Sequence, residues 1–245
     1  MLHTTRLLTF TMILSLLMLG GCAHVEPVPP IQTTATAARG AASYGQVPLS
    51  FEANHGQAKE PVKFLARGTN AALYLMPNEA ALEVQQSEDK RATVKMKLLG
   101  ANAQPRMHGV AELPGKSNYF SGSDPQAWQT NIPTYRKVKY EEVYAGIDLV
   151  YYGNQQQLEY DFIVQPGADP NAIKFRLEGA EQVSLNAAGE LVLQTEAGEV
   201  KQHKPIVYQE VNGKRQEIAG NYVLAKNSEV HFALGEYDTT QPLVI

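Results

Sequence analysis

The run YAGIDLVYYGNQQQLEYDFIVQPGADPNAI, residues 144–173, decides the fold of this 245-residue chain. Ile147, Leu149 and Tyr151 alternate with Asp148, Val150 and Tyr152. After a break, Leu158, Tyr160, Phe162 and Val164 alternate with Glu159, Asp161 and Ile163. Period-two alternation among β-branched and aromatic residues marks strands with one face in a core. Gly153-Asn154-Gln155-Gln156-Gln157 separates the two runs and predicts a hairpin. A two-residue loop at Asn154-Gln155 would set Asp148 opposite Asp161, an unfavourable pairing of like charges. A four-residue loop, Asn154 to Gln157, instead sets Tyr151 against Tyr160 and Leu149 against Phe162, and this register is expected. Pro166-Gly167 ends the second strand. Asp169-Pro170 is suited to cap a single helical turn before the next strand, which begins near Ile173.

The same alternation extends in both directions. Upstream, short strands are predicted over residues 62–65, 72–75, 79–85 and 93–99, the last with Val94, Met96 and Leu98 on one face. The segment 100–133 carries Pro105, Pro114, Pro125 and several glycines and is expected to be looser. Alternation resumes over 135–140, and Glu141-Glu142-Val143-Tyr144 is read as one helical turn. Downstream, eight short strands are expected between 173 and 234, parted by Ala188-Gly189, Ala197-Gly198, Asn212-Gly213 and Lys226-Asn227. Asn-Gly is the strongest short hairpin marker in the chain. Many short strands at this spacing predict an all-β, antiparallel, sandwich-like body. Two lobes are expected, residues 47–135 and 136–245.

Arg6 precedes an almost unbroken apolar run over residues 7–19, ending in Leu19-Gly20-Gly21-Cys22. The run is too short for a bilayer span, which needs roughly 20 residues, and reads as a secretory signal, residues 1–21. Cys22 is the single cysteine. Its setting resembles the lipobox of bacterial lipoproteins, which implies that Cys22 is acylated and becomes the mature N-terminus; the plainer alternative is a secreted protein with a cysteine there by chance. By the same resemblance, Ala23 in place of an aspartate implies the outer membrane. Residues 22–46, with Pro27, Pro29, Pro30 and TTATAARGAAS, lack the apolar groups to build a core and are expected to be a disordered tether. With a net charge of −4 and a pI near 5.9 the chain is not suited to nucleic acid.

The segments FEANHGQ (51–57), VKFLARG (62–68), LPGKSNYFSG (113–122), WQTNIPTY (128–135), 143–173, GELVLQTEAGEVKQHKPIVYQEVNG (189–213) and YDTTQPLVI (237–245) together resemble a bacterial cell-surface domain. It is the domain of unknown function found N-terminal to SBBP-type β-propeller repeats. The resemblance covers about 200 residues in matching order and implies an all-β fold and a cell-surface location, with no catalytic residues to carry over. Family members usually run on from a strand like PLVI into further repeats; here the chain stops at Ile245, as expected of a stand-alone lipoprotein.

Motifs for chemistry are sparse. His-Glu-x-x-His, Gly-x-Ser-x-Gly, a phosphate-binding glycine loop and spaced metal ligands are all missing from the sequence, so no cofactor or metal is expected. His55, His108, His203 and His231 are scattered. Asp148, Glu159 and Asp161 on the outer face of the central hairpin could form an acid–base pair, against the simpler reading of a solvated strand face. Ser121-Gly122-Ser123-Asp124 reads either as an oxygen-rich calcium loop or, more simply, as a turn. Tyr119, Trp128 and Tyr135 are candidate ligand contacts, since aromatics on a β scaffold stack against sugars or anchor a protein. In the other reading Trp128 plugs the core beneath a long loop. Pro242–Ile245 is either an edge strand open to a partner or a strand of its own sheet. The expected function is non-catalytic: a bacterial envelope lipoprotein for display, attachment, or interaction with an envelope protein or polysaccharide. The alternative is an envelope hydrolase for glycan or peptide using dispersed carboxylates.

Overall fold

The computed structural model describes residues 49–245 apart from 155 and 156; the signal, the lipobox and the tether lie outside the described residues. The strands are β1 Phe51–Ala53, β2 Phe64–Arg67, β3 Ala71–Met76, β4 Glu79–Ser87, β5 Lys90–Leu98, β6 Arg106–Tyr119, β7 Gln129–Tyr144, β8 Ile147–Asn154 and β9 Gln157–Val164. They continue with β10 Lys174–Glu178, β11 Gln182–Leu185, β12 Leu191–Thr195, β13 Gly198–Gln202, β14 Val207–Val211, β15 Lys214–Ile218, β16 Gly220–Leu224, β17 Glu229–Leu234 and β18 Leu243–Val244. The body is antiparallel and all-β, as its alternation requires.

The central hairpin takes the expected register. Tyr151 faces Tyr160 and Leu149 faces Phe162, and the ladder closes further, to Asn154 opposite Gln157. Leu149 and Phe162 are fully buried and Tyr151 is nearly so. Beyond it, Asp169 caps a short 3-10 turn, its side chain accepting the Asn171 N–H, before β10 begins. Asn212 and Gly213 both take positive φ, 52° and 71°, in the two-residue turn between β14 and β15. That is the backbone an Asn-Gly hairpin favours.

One sheet holds fifteen strands in the order β15-β14-β18-β9-β8-β7-β1-β2-β3-β4-β5-β10-β17-β16, with β6 added on β7. Its form follows from β7. Tyr135 pairs with Glu112 on one side and Phe51 on the other; two residues on, Lys137 pairs with Val110 and Tyr152. β6 therefore keeps to one edge of β7, while the other edge passes from β1 to β8. Two arms diverge there, and the lobe boundary expected near residue 135 falls inside this shared strand. At their far ends the arms meet again, because β15 and β16 are joined by Ala219 alone. A Cβ on Gly220 would stand 2.2 Å from Val207 Cγ2, so only glycine lets β16 approach β14 this closely. The sheet is thereby wrapped into a near-barrel whose two arms face each other like the layers of a sandwich.

Aromatic rings fill the space between. Tyr140, Tyr151, Tyr160 and Phe162 follow one another at centroid distances of 5.7 to 5.8 Å, and Phe162 of β9 meets Phe232 of β17 on the opposite arm at 6.0 Å. Buried phenols bridge the arms: Tyr140 donates to the Met76 carbonyl at 3.1 Å and Tyr144 to the Lys174 carbonyl at 2.8 Å. Burial pushes both hydroxyls above their usual range and keeps them protonated donors. A second sheet, β11-β12-β13, contributes Leu191 and Leu193 to the core. Its Gln202 amide donates to the hydroxyls of Tyr160 on β9 and Tyr222 on β16, closing the seam between the arms.

The largest departures from expectation lie in residues 100–144. The segment expected to be loose forms β6 and the start of β7, the two longest strands. Residues 141–144, expected as a helical turn, end β7. The cause is backbone irregularity inside paired strands. Ala111, Asn131 and Glu142 take φ of 57°, 58° and 48°, and register shifts lie between Glu112 and Lys116 and between Tyr140 and Tyr144. Bulges interrupt the period-two pattern without ending the ladder.

Candidate functional site

β6 and β7 extend past the sheet as a two-stranded ribbon. Lys116, Ser117 and Tyr119 pair with Pro133, Ile132 and Gln129, and the neighbouring β1 reaches β7 only at Thr134 and Tyr135. The root of this ribbon is fixed by charge and hydrogen bonding. Residues paired across a ladder share a face, so Glu52, Leu65, Tyr74 and Ala81 point outward together, away from Phe51 and Phe64. Ser117 Oγ donates to Glu52 Oε1 at 2.7 Å, and Tyr119 Oη donates to Glu52 Oε2 at 2.5 Å. The ribbon thus lies back across the outer face of β1 and β2, which explains why Leu65 is fully buried there. The Arg67 guanidinium stands 5.4 Å from the centre of the Tyr119 ring. Partial burial, then the hydrogen bond to Glu52, pushes the Tyr119 hydroxyl up to about 12. Thr134 Oγ1 adds a bond to the Gly115 carbonyl at 2.8 Å.

The tip carries the chain's single tryptophan. Phe120 and Trp128 form an edge-to-face pair, with centroids 5.1 Å apart and planes at 86°. Phe120 is 65 % exposed, the largest value for any large apolar side chain among the described residues. Trp128 is half-buried against it, and its indole N–H donates to the Gly122 carbonyl at 3.3 Å. Asp124 caps the 3-10 turn Pro125–Ala127 by accepting the Gln126 N–H at 2.9 Å. Asp124 thus holds the backbone of the ribbon tip, and Phe120 stands out from it into solvent.

Of the three aromatic candidates, the structure brings Tyr119 and Trp128 to one ribbon and sends Tyr135 elsewhere. Tyr135 packs edge-on against Phe64 at 6.1 Å, and its ring sits over Gly109, where a Cβ would be 2.2 Å from ring carbon Cγ. Trp128 lies outside the main core, so it does not plug the body. Sequence reasoning did not find Glu52, Ser117 and Arg67, the residues that fix the ribbon. Glu52 and Arg67 lie far from it in the chain, and only the β1–β7 pairing brings them near; Ser117 is a ribbon residue whose partner, Glu52, is 65 positions away.

The outer face of the central hairpin holds the carboxylates read as an acid–base pair. Asp148 accepts from Lys139 Nζ at 2.8 Å and from the Glu142 N–H at 2.8 Å. Glu159 accepts from the Asn154 amide at 3.0 Å. Asp161 accepts from Tyr152 Oη at 2.9 Å, and desolvation raises its carboxyl above the usual range despite nearby Lys137 and Arg215. Lys137 stands over the Tyr152 ring at 4.9 Å and Arg215 over Tyr208 at 3.6 Å. Across the hairpin, Asp148 faces Ile163 and Asp161 faces Val150, so the two aspartates are not paired with each other. Among the histidines, His203 Nδ1 lies 2.8 Å from Glu190 Oε1 in a surface contact.

Pro242–Ile245 is not an open edge. β18 lies between β9 and β14, and Ile245 and Phe162 exchange backbone hydrogen bonds at 3.0 Å in both directions. The buried Gln209 amide accepts the Asp238 N–H at 2.9 Å and donates to the Asp238 carbonyl at 2.8 Å, which fixes the turn leading into β18.

Comparison with family models matches residues 51–245 to a domain of unknown function, DUF7948. No curated protein and no solved structure matches the chain.

Proposed function

The chain belongs to this family of domains of unknown function, and we propose that it is a non-catalytic bacterial envelope lipoprotein whose β body attaches to another envelope component through the β6–β7 ribbon. The observation that carries this reading is the Phe120–Trp128 pair, with Phe120 exposed, on a ribbon held in place by Glu52 and Arg67. Clustered aromatics on a rigid support supply contact area at low entropic cost. The run Leu19-Gly20-Gly21-Cys22 supports anchoring of the N-terminus by acylation of Cys22 at the outer membrane. The resemblance to domains that precede propeller repeats supports a cell-surface setting.

The test is retention on isolated envelope fragments. A Phe120→Ser/Trp128→Ser chain should keep its melting temperature within about 4 °C, a shift of roughly 1 kcal/mol, and lose most of its retention. Unchanged retention would remove the tip from the reading. For the anchor, globomycin or Cys22→Ala should block maturation; normal processing to a soluble periplasmic form would show that Cys22 is not acylated.

The desolvated Asp161 beside Tyr152 favours a second reading, an envelope hydrolase acting on glycan or peptide. Turnover by the purified protein, abolished by Asp161→Asn or Glu159→Gln, would establish that reading in place of the first.

A further inference from the structure

We propose that the ribbon tip is a membrane-contacting element, with Phe120 and Trp128 entering the interfacial zone of a lipid bilayer. This deepens the attachment reading above, and rests on it, by naming the partner as a lipid surface. Three features of the tip favour lipid over a glycan or a protein.

The first is the ring arrangement. At 86° the edge of one ring meets the face of the other, so the pair presents a wedge and lacks the flat open platform on which a sugar stacks. The second is charge. From Ser117 to Thr130 the chain carries one charged side chain, Asp124, and that carboxylate caps a backbone N–H. A nearly uncharged tip avoids the desolvation cost that charged side chains meet at a bilayer. The third is internal satisfaction of polar groups. The N–H groups of Gln126, Ala127, Trp128 and Asn131 are bonded within the ribbon, to Asp124 Oδ1, the Asp124 carbonyl, the Pro125 carbonyl and Asn118 Oδ1. The Trp128 indole N–H is taken by Gly122. These groups keep their partners when the tip leaves water, which lowers the cost of bringing this part of the loop to a bilayer. Tryptophan at a membrane surface settles at the headgroup level, and Trp128 supplies it here with the apolar ring of Phe120 beside it.

Trp128 is the only tryptophan in the chain, so its fluorescence reports the tip directly. The full-length chain is mixed with phosphatidylethanolamine–phosphatidylglycerol vesicles, with and without bromine on the acyl chains near the headgroup. The expected result is a blue-shifted Trp128 emission that brominated lipid quenches. Phe120→Ser should weaken this partitioning about tenfold or more, the equivalent of losing one buried aromatic, whereas Phe120→Leu should largely keep it. Equal quenching in the wild type and Phe120→Ser would show that an anchor elsewhere merely holds Trp128 near lipid, and would overturn the proposal. No quenching, with tip-dependent retention on envelope fragments intact, would overturn the lipid assignment alone and leave attachment to a glycan or protein. Loss of both would overturn the attachment reading as well.

Discussion

The Asp148 carboxylate accepts the backbone N–H of Glu142 at 2.8 Å across the turn that joins β7 to β8. Glu142 has φ 48°, a left-handed conformation that costs a non-glycine residue free energy. It sits where the ladder shifts register between Tyr140 and Tyr144. Lys139 on β7 holds the other carboxylate oxygen at 2.8 Å. A carboxylate whose sequence position suggested acid–base chemistry thus clamps a β-bulge, and the bulge lets Tyr144 turn inward to bridge the arms.

Asp148→Ala should therefore cost about 1–3 kcal/mol, the usual range for losing a charged hydrogen-bond acceptor. Asp148→Asn, which keeps an acceptor, should cost less. Urea unfolding of the two variants against the wild type measures both. A loss below about 0.5 kcal/mol for Asp148→Ala would show that the bulge holds without the clamp.

Asp161 gives a pH-dependent expectation of known sign. Desolvation raises its carboxyl above the ordinary value, with Tyr152, Lys137 and Arg215 opposing. The folded state therefore keeps this proton to a higher pH than the unfolded chain does. Ionisation costs native stability as pH rises from the ordinary carboxylate value through the raised one. Asp161→Asn removes the charge and keeps an acceptor for Tyr152. It should raise the melting temperature at pH 7, with the gain shrinking as pH falls from the raised value to the ordinary carboxylate value. A gain that grows on acidification would reverse the sign of the assignment.

What the sequence reveals and conceals follows from how local each signal is. The register of β8 with β9, the Asn212-Gly213 turn and the Asp169 cap are set by residues within a few positions of one another, and the alternation specifies them. β6 and the two ends of β7 are hidden because Ala111, Asn131 and Glu142 break the period at bulges that only a partner strand defines, whereas the alternation over 135–140 shows the middle of β7. The root of the candidate site is hidden for a stronger reason. Glu52 and Tyr119 are 67 positions apart and meet only after β1 pairs with β7. An exposed aromatic and a core aromatic look alike in sequence, so the separation of Trp128 from Tyr135 needed the fold.

Phe162 tests whether the aromatic column holds the arms together. It is fully buried, lies 5.8 Å from Tyr160 and meets Phe232 of the opposite arm at 6.0 Å. Phe162→Ala should cost about 3–5 kcal/mol through lost burial and the cavity left behind. Equilibrium denaturation showing less than about 1 kcal/mol would mean that the arms are not packed through this residue.

The C-terminal strand decides between a partner-binding edge and a structural insert. Leu243 is fully buried and Ile245 nearly so, and β18 joins β9 to β14, which would otherwise be separated. Gln209, itself buried, also donates to the carbonyls of Gln241 and Pro242 at 3.2 and 3.3 Å. Deleting Pro242–Ile245 would expose the Phe162 backbone groups and remove Gln209's Pro242 acceptor, leaving β14 and β15 without their link to the sheet. Such a chain should lose its cooperative thermal transition, as followed by circular dichroism. Gln209→Leu is the gentler probe. It keeps the strand but leaves the Asp238 N–H and the turn carbonyls without their partner, at a cost of about 1–3 kcal/mol. A deletion that melts as sharply as the wild type, together with a neutral Gln209→Leu, would show that β18 is dispensable to the sheet and would return Pro242–Ile245 to the role of a partner-binding edge.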